Sequence, residues 1–255
     1  MSGAASRSQI LESMGVRQWR LRNAPAATED SGHEESLQET AGASQPADYI
    51  QNPEPDAVDS TAPLSEQDEW GVLRQQVSAC TNCELHRERT QTVFGVGDTS
   101  ADWLIVGEAP GADEDAQGEP FVGKAGQVLN EMLLAAGFER SEVYIANTVK
   151  CRPPENRKPK AEEMQACATY LDEQIRLLQP KFILVVGQRA AVRMLGEDDS
   201  VRIGNLRGKT YSYGGNDIPV VVTYHPAYYL RTPSAKRKGW EDLLFARRVA
   251  SGVAP

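Results

Sequence analysis

Four short apolar runs constrain the fold most: WLIVG (Trp103 to Gly107), VYIANTV (Val143 to Val149), FILVVG (Phe182 to Gly187) and PVVVTY (Pro219 to Tyr224). Each reads as a buried strand. Between them, apolar residues recur at helical spacing near Ala125 to Ala136, Ala161 to Leu178 and Arg189 to Leu195, and a last helix follows Lys238. That alternation predicts a three-layer α/β/α fold around a central four-stranded parallel sheet, with right-handed crossovers. In such a sheet, ligands belong at the carboxyl ends of the strands. A cap-like Ser65-x-x-Asp68 opens a further helix that ends near Cys80.

The formal charge of −9 argues against a nucleic-acid partner only until it is located along the chain. Residues 1–23 carry a net +3, and residues 24–69 carry twelve acidic residues and no lysine or arginine. The remainder holds 23 charges of each sign. Its basic residues cluster, with Lys150, Arg152, Arg157, Lys158 and Lys160 in one run and Arg231, Lys236, Arg237 and Lys238 in another. A neutral domain with such clusters can grip phosphates. Residues 24–64, rich in Pro, Ala, Ser, Glu and Asp with no sustained apolar period, read as a disordered acidic linker. The expected organisation is therefore a docking peptide over 1–23, that linker, a catalytic domain over 65–250 and a tail over 251–255. No stretch approaches the ~20 apolar residues of a membrane span, and the N-terminal text lacks a signal peptide's apolar core, so the chain reads as cytoplasmic.

The only cysteines are Cys80, Cys83, Cys151 and Cys167. A chain of 255 residues can build its own core without disulfides, which favours metal ligation. One tight pair and two distant ligands suit thiolates converging on an iron–sulfur cube better than the paired spacings of zinc sites. Zinc and four unrelated core thiols are the alternatives.

Three strand ends carry unusual polar text: GEAPGADED after the first, Asn147 within the second and His225-Pro226 after the fourth. Together with EPFVGKAGQ and HPAYYLR they strongly resemble the family 4 uracil-DNA glycosylases, iron–sulfur proteins of the uracil-DNA glycosylase-like fold. The resemblance covers about residues 68–250, including the four cysteines. It implies an enzyme with a [4Fe-4S] cluster, held by Cys80, Cys83, Cys151 and Cys167, that flips uracil out of DNA and hydrolyses its glycosidic bond; a monomer is the default expectation.

The resemblance also implies roles. Phe121 would stack on the base. Asn147 would match uracil's N3 hydrogen and O4 and mismatch cytosine. His225 would hydrogen-bond O2 as negative charge develops. Glu108, Ala109 and Pro110 would shape the loop over the pocket; this loop lacks the aspartate that other uracil glycosylase families use to position water, so Glu108 is a candidate by position alone. Glu114 would lie near the C5 edge, with Asp115 structural. Tyr229 or Leu230 would wedge into the duplex, Arg231 would hold a flanking phosphate, and Lys150 and Arg152 would face DNA.

Three rival readings are weaker. The segment Gly118 to Ala125 nearly matches a phosphate-binding P-loop, but Ala125 replaces the magnesium-holding hydroxyl and Pro120 removes a donor. The covalent uracil-binding relatives carry GEQPG and an inserted basic loop with a histidine, neither of which appears here. A catalytically silent DNA-binding iron–sulfur module would not need Asn147 and His225. Separately, ILESMGVRQWRLR is similar to the N-terminal peptide of the psi subunit of the bacterial DNA polymerase III clamp loader, which implies docking on that complex through Trp19 and Leu21.

Overall fold

A computed structural model describes residues 66–215 and 217–252. The expected docking peptide with Trp19 and Leu21, the acidic linker and the Ser65 cap lie outside the described residues.

Helix α1 (Glu66–Ala79) leads to the first cysteine pair. The sheet follows: β1 (Val96–Gly97), β2 (Trp103–Gly107), β3 (Tyr144–Asn147), β4 (Phe182–Val186), β5 (Thr210–Tyr213) and β6 (Ile218–Thr223). Its spatial order is β1-β3-β2-β4-β6-β5. The four strands expected from sequence form the parallel centre. The sheet has six strands because β1 and β5 add antiparallel edges.

Strand geometry sends alternate side chains to opposite faces, and each central strand is apolar on both. Leu104, Val106, Ile183, Val185, Val220 and Val222 pack with Leu171, Ile175 and Leu178 of α4 (Ala161–Leu178) and Ala190 and Met194 of α5 (Gln188–Leu195). On the other face, Ile105, Ile145, Leu184 and Val221 pack with Leu129 and Leu133 of α3 (Lys124–Ala136) and Leu243 and Ala246 of α8 (Lys236–Ala250). Three short helices complete the chain: α2 (Ala112–Gln117) after β2, α6 (Ile203–Leu206) before β5 and α7 (Pro226–Arg231) after β6. Glycines in left-handed conformation end α3 and α5, at Gly137 and Gly196. Among the described residues no helix is long and apolar enough to cross a membrane.

The VYIANTV strand is shorter than expected. It stops at Asn147 because the next two amides leave the ladder: Thr148 N donates to Gly107 O at 2.9 Å and Val149 N to Glu108 O at 3.0 Å. The segment after β3 is thereby sewn to the loop after β2.

Candidate active site

Gly107 and Asn147 are register partners at the carboxyl ends of β2 and β3. A Cβ at Gly107 would come 2.3 Å from Asn147 Oδ1 and 2.6 Å from Phe121 Cζ, so glycine lets amide and ring close over the strand end. Phe121 is buried and holds φ 54°, a left-handed conformation uncommon for aromatic residues. Gly126 accommodates that turn, because a Cβ there would meet Phe121 O at 1.7 Å. The Phe121 and His225 rings lie 5.6 Å apart, tilted by 31°. The acceptor Oδ1 of Asn147 is the one buried side-chain nitrogen or oxygen without a hydrogen-bond partner among the described residues. Such an orphan is costly unless a ligand completes it.

His225 caps α7, its Nδ1 accepting from Ala227 N at 3.2 Å. That bond leaves the proton of a neutral ring on Nε2. Burial, and then the Arg231 charge, push the imidazole down to about 4, so it is neutral near pH 7. Glu108 moves the other way. Burial raises its carboxyl above the usual range, opposed by Arg189 and Lys158.

The loop after β2 is braced from several sides. Glu108 O accepts from Thr148 Oγ1 at 2.7 Å, Ala109 packs against the cysteine-bearing cluster, and Pro110 is buried. Glu114 is held at the pocket, close enough to His225 for its charge to act on the imidazole. Its Oε1 accepts from Val122 N (3.0 Å) and Gly123 N (3.1 Å) and its Oε2 from Gly111 N (3.1 Å). Its carboxylate thus ties the two loops around the pocket. Asp115 is buried and accepts from Thr90 N at 3.0 Å, a structural anchor.

Two expectations are corrected. Tyr229 is no wedge: it is 2% exposed, with its hydroxyl 3.1 Å from Thr223 Oγ1. Thr223 donates to Asp242, whose carboxylate accepts from Arg207 Nε and Nη2 at 2.6 and 2.7 Å. This buried network fixes the floor of α7, and Leu230, 47% exposed, is the side chain that projects. Lys150 does not face DNA either. It is 1% exposed, because its ammonium turns inward onto polar acceptors of the core. Arg152 is half-buried and donates to Asn156 Oδ1, whereas Arg231 is exposed. Arg157 is engaged by Glu163 through two bonds of 2.9 and 2.6 Å.

The four cysteines line one recess with Arg89, Lys150 and Tyr170. Cys151 and Cys167 are buried; Cys80 and Cys83 are half-buried. Their sulfurs accept from Arg89 Nη1 (Cys151, 3.1 Å), Lys150 N (Cys167, 3.2 Å) and Asn82 N (Cys80, 3.5 Å). Burial pushes the Cys83 and Cys151 thiols up and Cys167 to about 11. Among the described residues no three His, Cys, Asp or Glu side chains converge as a single-ion site. Sequence reasoning missed Arg89, 62 residues from its sulfur partner, and the Arg207–Asp242 pair. No local pattern marks either, since both contacts exist only after the chain closes.

The uracil DNA glycosylase superfamily profile matches residues 94–244. The chain is 42% identical to a type-4 uracil-DNA glycosylase of Pyrobaculum aerophilum over 67% of its own length and 89% of the relative's. It is 41% identical to that of Archaeoglobus fulgidus, covering 66% of this chain and 86% of the relative. For the type-4 enzyme of Thermotoga maritima the identity is 41%, over 64% and 84%.

Proposed function

This chain belongs to the type-4 uracil-DNA glycosylases, and from that premise we propose how its residues release uracil. The protein is a hydrolase, a uracil-DNA N-glycosylase. The observation that carries the residue assignment is the buried, unpartnered Oδ1 of Asn147, which shares the space over Gly107 with Phe121, the ring that lies 5.6 Å from His225.

Reaching the bond requires flipping the nucleotide from the stack, at a cost of roughly a few kcal/mol. The extruded uracil stacks on Phe121. Its N3 hydrogen then satisfies Asn147 Oδ1, while the amide nitrogen donates to O4. Cytosine presents a lone pair and an amino group at these positions and leaves both amide groups mispaired. As the C1′–N1 bond breaks, its electron pair moves onto the base and spreads to O2. The neutral His225 donates from Nε2 to O2, and no reorganisation is needed as the charge grows. Water adds to C1′ and gives up one proton; the uracil anion takes one from solvent. Glu108, raised by burial, is the carboxyl positioned by sequence to orient that water. Leu230 fills the vacated stack, with Arg231 and Arg152 on flanking phosphates.

The thiol set fits a [4Fe-4S] cluster. Four sulfurs lining one recess, three of them accepting hydrogen bonds from the protein, support it. When bound, the cluster supplies a four-point cross-link between the segment after α1, the loop after Asn147 and α4. The N-terminal peptide, by its likeness to the psi subunit, would tether the enzyme to the clamp loader through Trp19 and Leu21. Deleting residues 1–64 should then leave excision from short oligonucleotides unchanged and abolish clamp-loader binding measured by calorimetry.

The decisive experiment measures free uracil released from single-stranded, U:G and U:A oligonucleotides by wild type, Asn147→Ala and His225→Ala, with iron assayed on each sample. Each variant should excise ~10²-fold or more slowly with DNA affinity retained. Single-turnover rates within threefold of wild type for both would remove these roles.

A further inference from the structure

Among the described residues Lys150 is the only fully buried lysine or arginine, and no carboxylate meets it. Its Nζ donates to the backbone oxygen of Asn147 at 2.9 Å and to Gln174 Oε1 at 2.5 Å. Gln174, itself buried, donates from Nε2 to Phe94 O at 2.9 Å and to the Tyr144 hydroxyl at 3.3 Å. The main chain of Lys150 is held as well: its amide donates to Cys167 Sγ at 3.2 Å and its carbonyl accepts from Val93 N at 2.8 Å. An ammonium without a carboxylate is an expensive way to fill interior space, where methionine would fit with no charge to desolvate. What methionine lacks is the donor.

We propose that Lys150 is a positioning residue for uracil recognition, holding the Asn147 peptide so that the side-chain amide stays aimed at the base. The inference rests on the glycosylase reading above. Strand β3 ends at Asn147, and the chain turns there toward the cysteines. The Asn147 carbonyl accepts from the ammonium three residues on, which closes that turn. Fixing this carbonyl fixes the orientation of the Asn147–Thr148 peptide, whose amide side is already bonded to Gly107 O. With both sides held, Asn147 Oδ1 keeps its place against Gly107 without a partner of its own. Lys150 also joins the pocket to the recess, since the same residue bonds Asn147 through its side chain and Cys167 through its amide.

The test is Lys150→Met in the full chain, measured beside wild type and Asn147→Ala. The readouts are single-turnover excision, inhibition by free uracil, affinity for an abasic-site oligonucleotide and iron content. Excision should slow about tenfold and uracil inhibition weaken by a similar factor, as expected for a misaimed but present amide, with oligonucleotide affinity and iron unchanged. A role confined to stability would lower the melting temperature and leave uracil inhibition at wild type; a phosphate contact would weaken oligonucleotide binding first. Either result overturns the proposal. If Lys150→Met does not accumulate as folded, iron-containing protein, Gln174→Met removes the second acceptor of the ammonium instead. It should slow excision and weaken uracil inhibition about threefold, and wild-type values there overturn the proposal. Failure of wild type to release uracil would refute the glycosylase reading itself, whereas active wild type, inactive Asn147→Ala and unaffected Lys150→Met would refute only this inference.

Discussion

The base pocket and the cysteine recess share the segment from Asn147 to Cys151, yet they treat polar atoms in opposite ways. In the pocket, Asn147 Oδ1 has no partner, Phe121 sits at positive φ, and His225 is held neutral. In the recess, Cys80, Cys151 and Cys167 each accept a hydrogen bond from the protein. A site whose ligand comes and goes must keep its groups ready at a cost to the free protein; a site for a permanent occupant can be saturated. The contrast predicts that pocket substitutions act on rate and recess substitutions on stability.

The largest effect should come from Gly107→Ala. The added methyl would meet both Asn147 Oδ1 and the Phe121 ring well inside contact distance, displacing the selectivity group and the stacking face together. Displacements of ~1 Å at a reacting centre cost roughly 10²-fold. Single-turnover excision should fall by about that factor with iron content retained. A rate within threefold of wild type would mean that these two residues do not need their present places.

Next is Cys151→Ala, which should shift the balance the other way. On the proposal that Cys151 holds the cluster, its loss should remove most of the iron and lower the melting temperature by roughly 5–10 °C, while the remaining folded protein still prefers uracil to cytosine. Iron and melting temperature unchanged from wild type would separate this thiol from the metal.

How much of this was legible in sequence differs between the same two regions. The parallel centre was readable because its strands are apolar on both faces, and the helices because their apolar residues keep a helical period. The edge strands were not: Val96–Gly97 has two residues, and the Thr210–Tyr213 run TYSY carries little apolar signal. The chemistry-bearing strand ends stood out as polar text beside apolar runs. Lys150 misled because charge in a basic run implies solvent, whereas Gln174, 24 residues away, supplies the interior acceptor that no local pattern announces. Tyr229 and Leu230 are adjacent on a short helix, and their faces are assigned by Thr223 and Gly239, the latter leaving room for the Tyr229 hydroxyl where a Cβ would lie 2.5 Å from it.

A smaller effect is expected from pH. With His225 pushed down to about 4, the ring stays neutral, with Nδ1 occupied and Nε2 donating, from pH 8 to pH 5. Its charged form, favoured in the unfolded chain below pH ~6.5, becomes appreciable in the folded protein only near pH 4. The sign follows: this residue contributes no loss of stability above pH ~6.5 and a growing one as pH falls from there toward 4. Single-turnover rates of wild type should therefore show no His225 titration between pH 5 and 8. A step centred near 6.5 that disappears in His225→Gln would show that the ring titrates as if exposed.

The narrowest effect, confined to one class of substrate, belongs to Leu230. It projects from α7, 47% exposed, while its neighbour Tyr229 is locked below, so a wedge at this position adds apolar surface only where DNA supplies a stack to enter. In single-stranded DNA there is no opposite strand and no hole to fill. Leu230→Ala should thus slow excision from U:A and U:G duplexes by about threefold to tenfold, the equivalent of ~1 kcal/mol of lost apolar contact, and leave single-stranded substrate within experimental error of wild type. The U:A duplex should suffer more than U:G, since the better-paired uracil relies more on the hole being filled once it leaves. Equal losses on single-stranded and duplex DNA would mean that Leu230 acts on the pocket itself, and that the division between a ready pocket and its supporting surface runs elsewhere along α7.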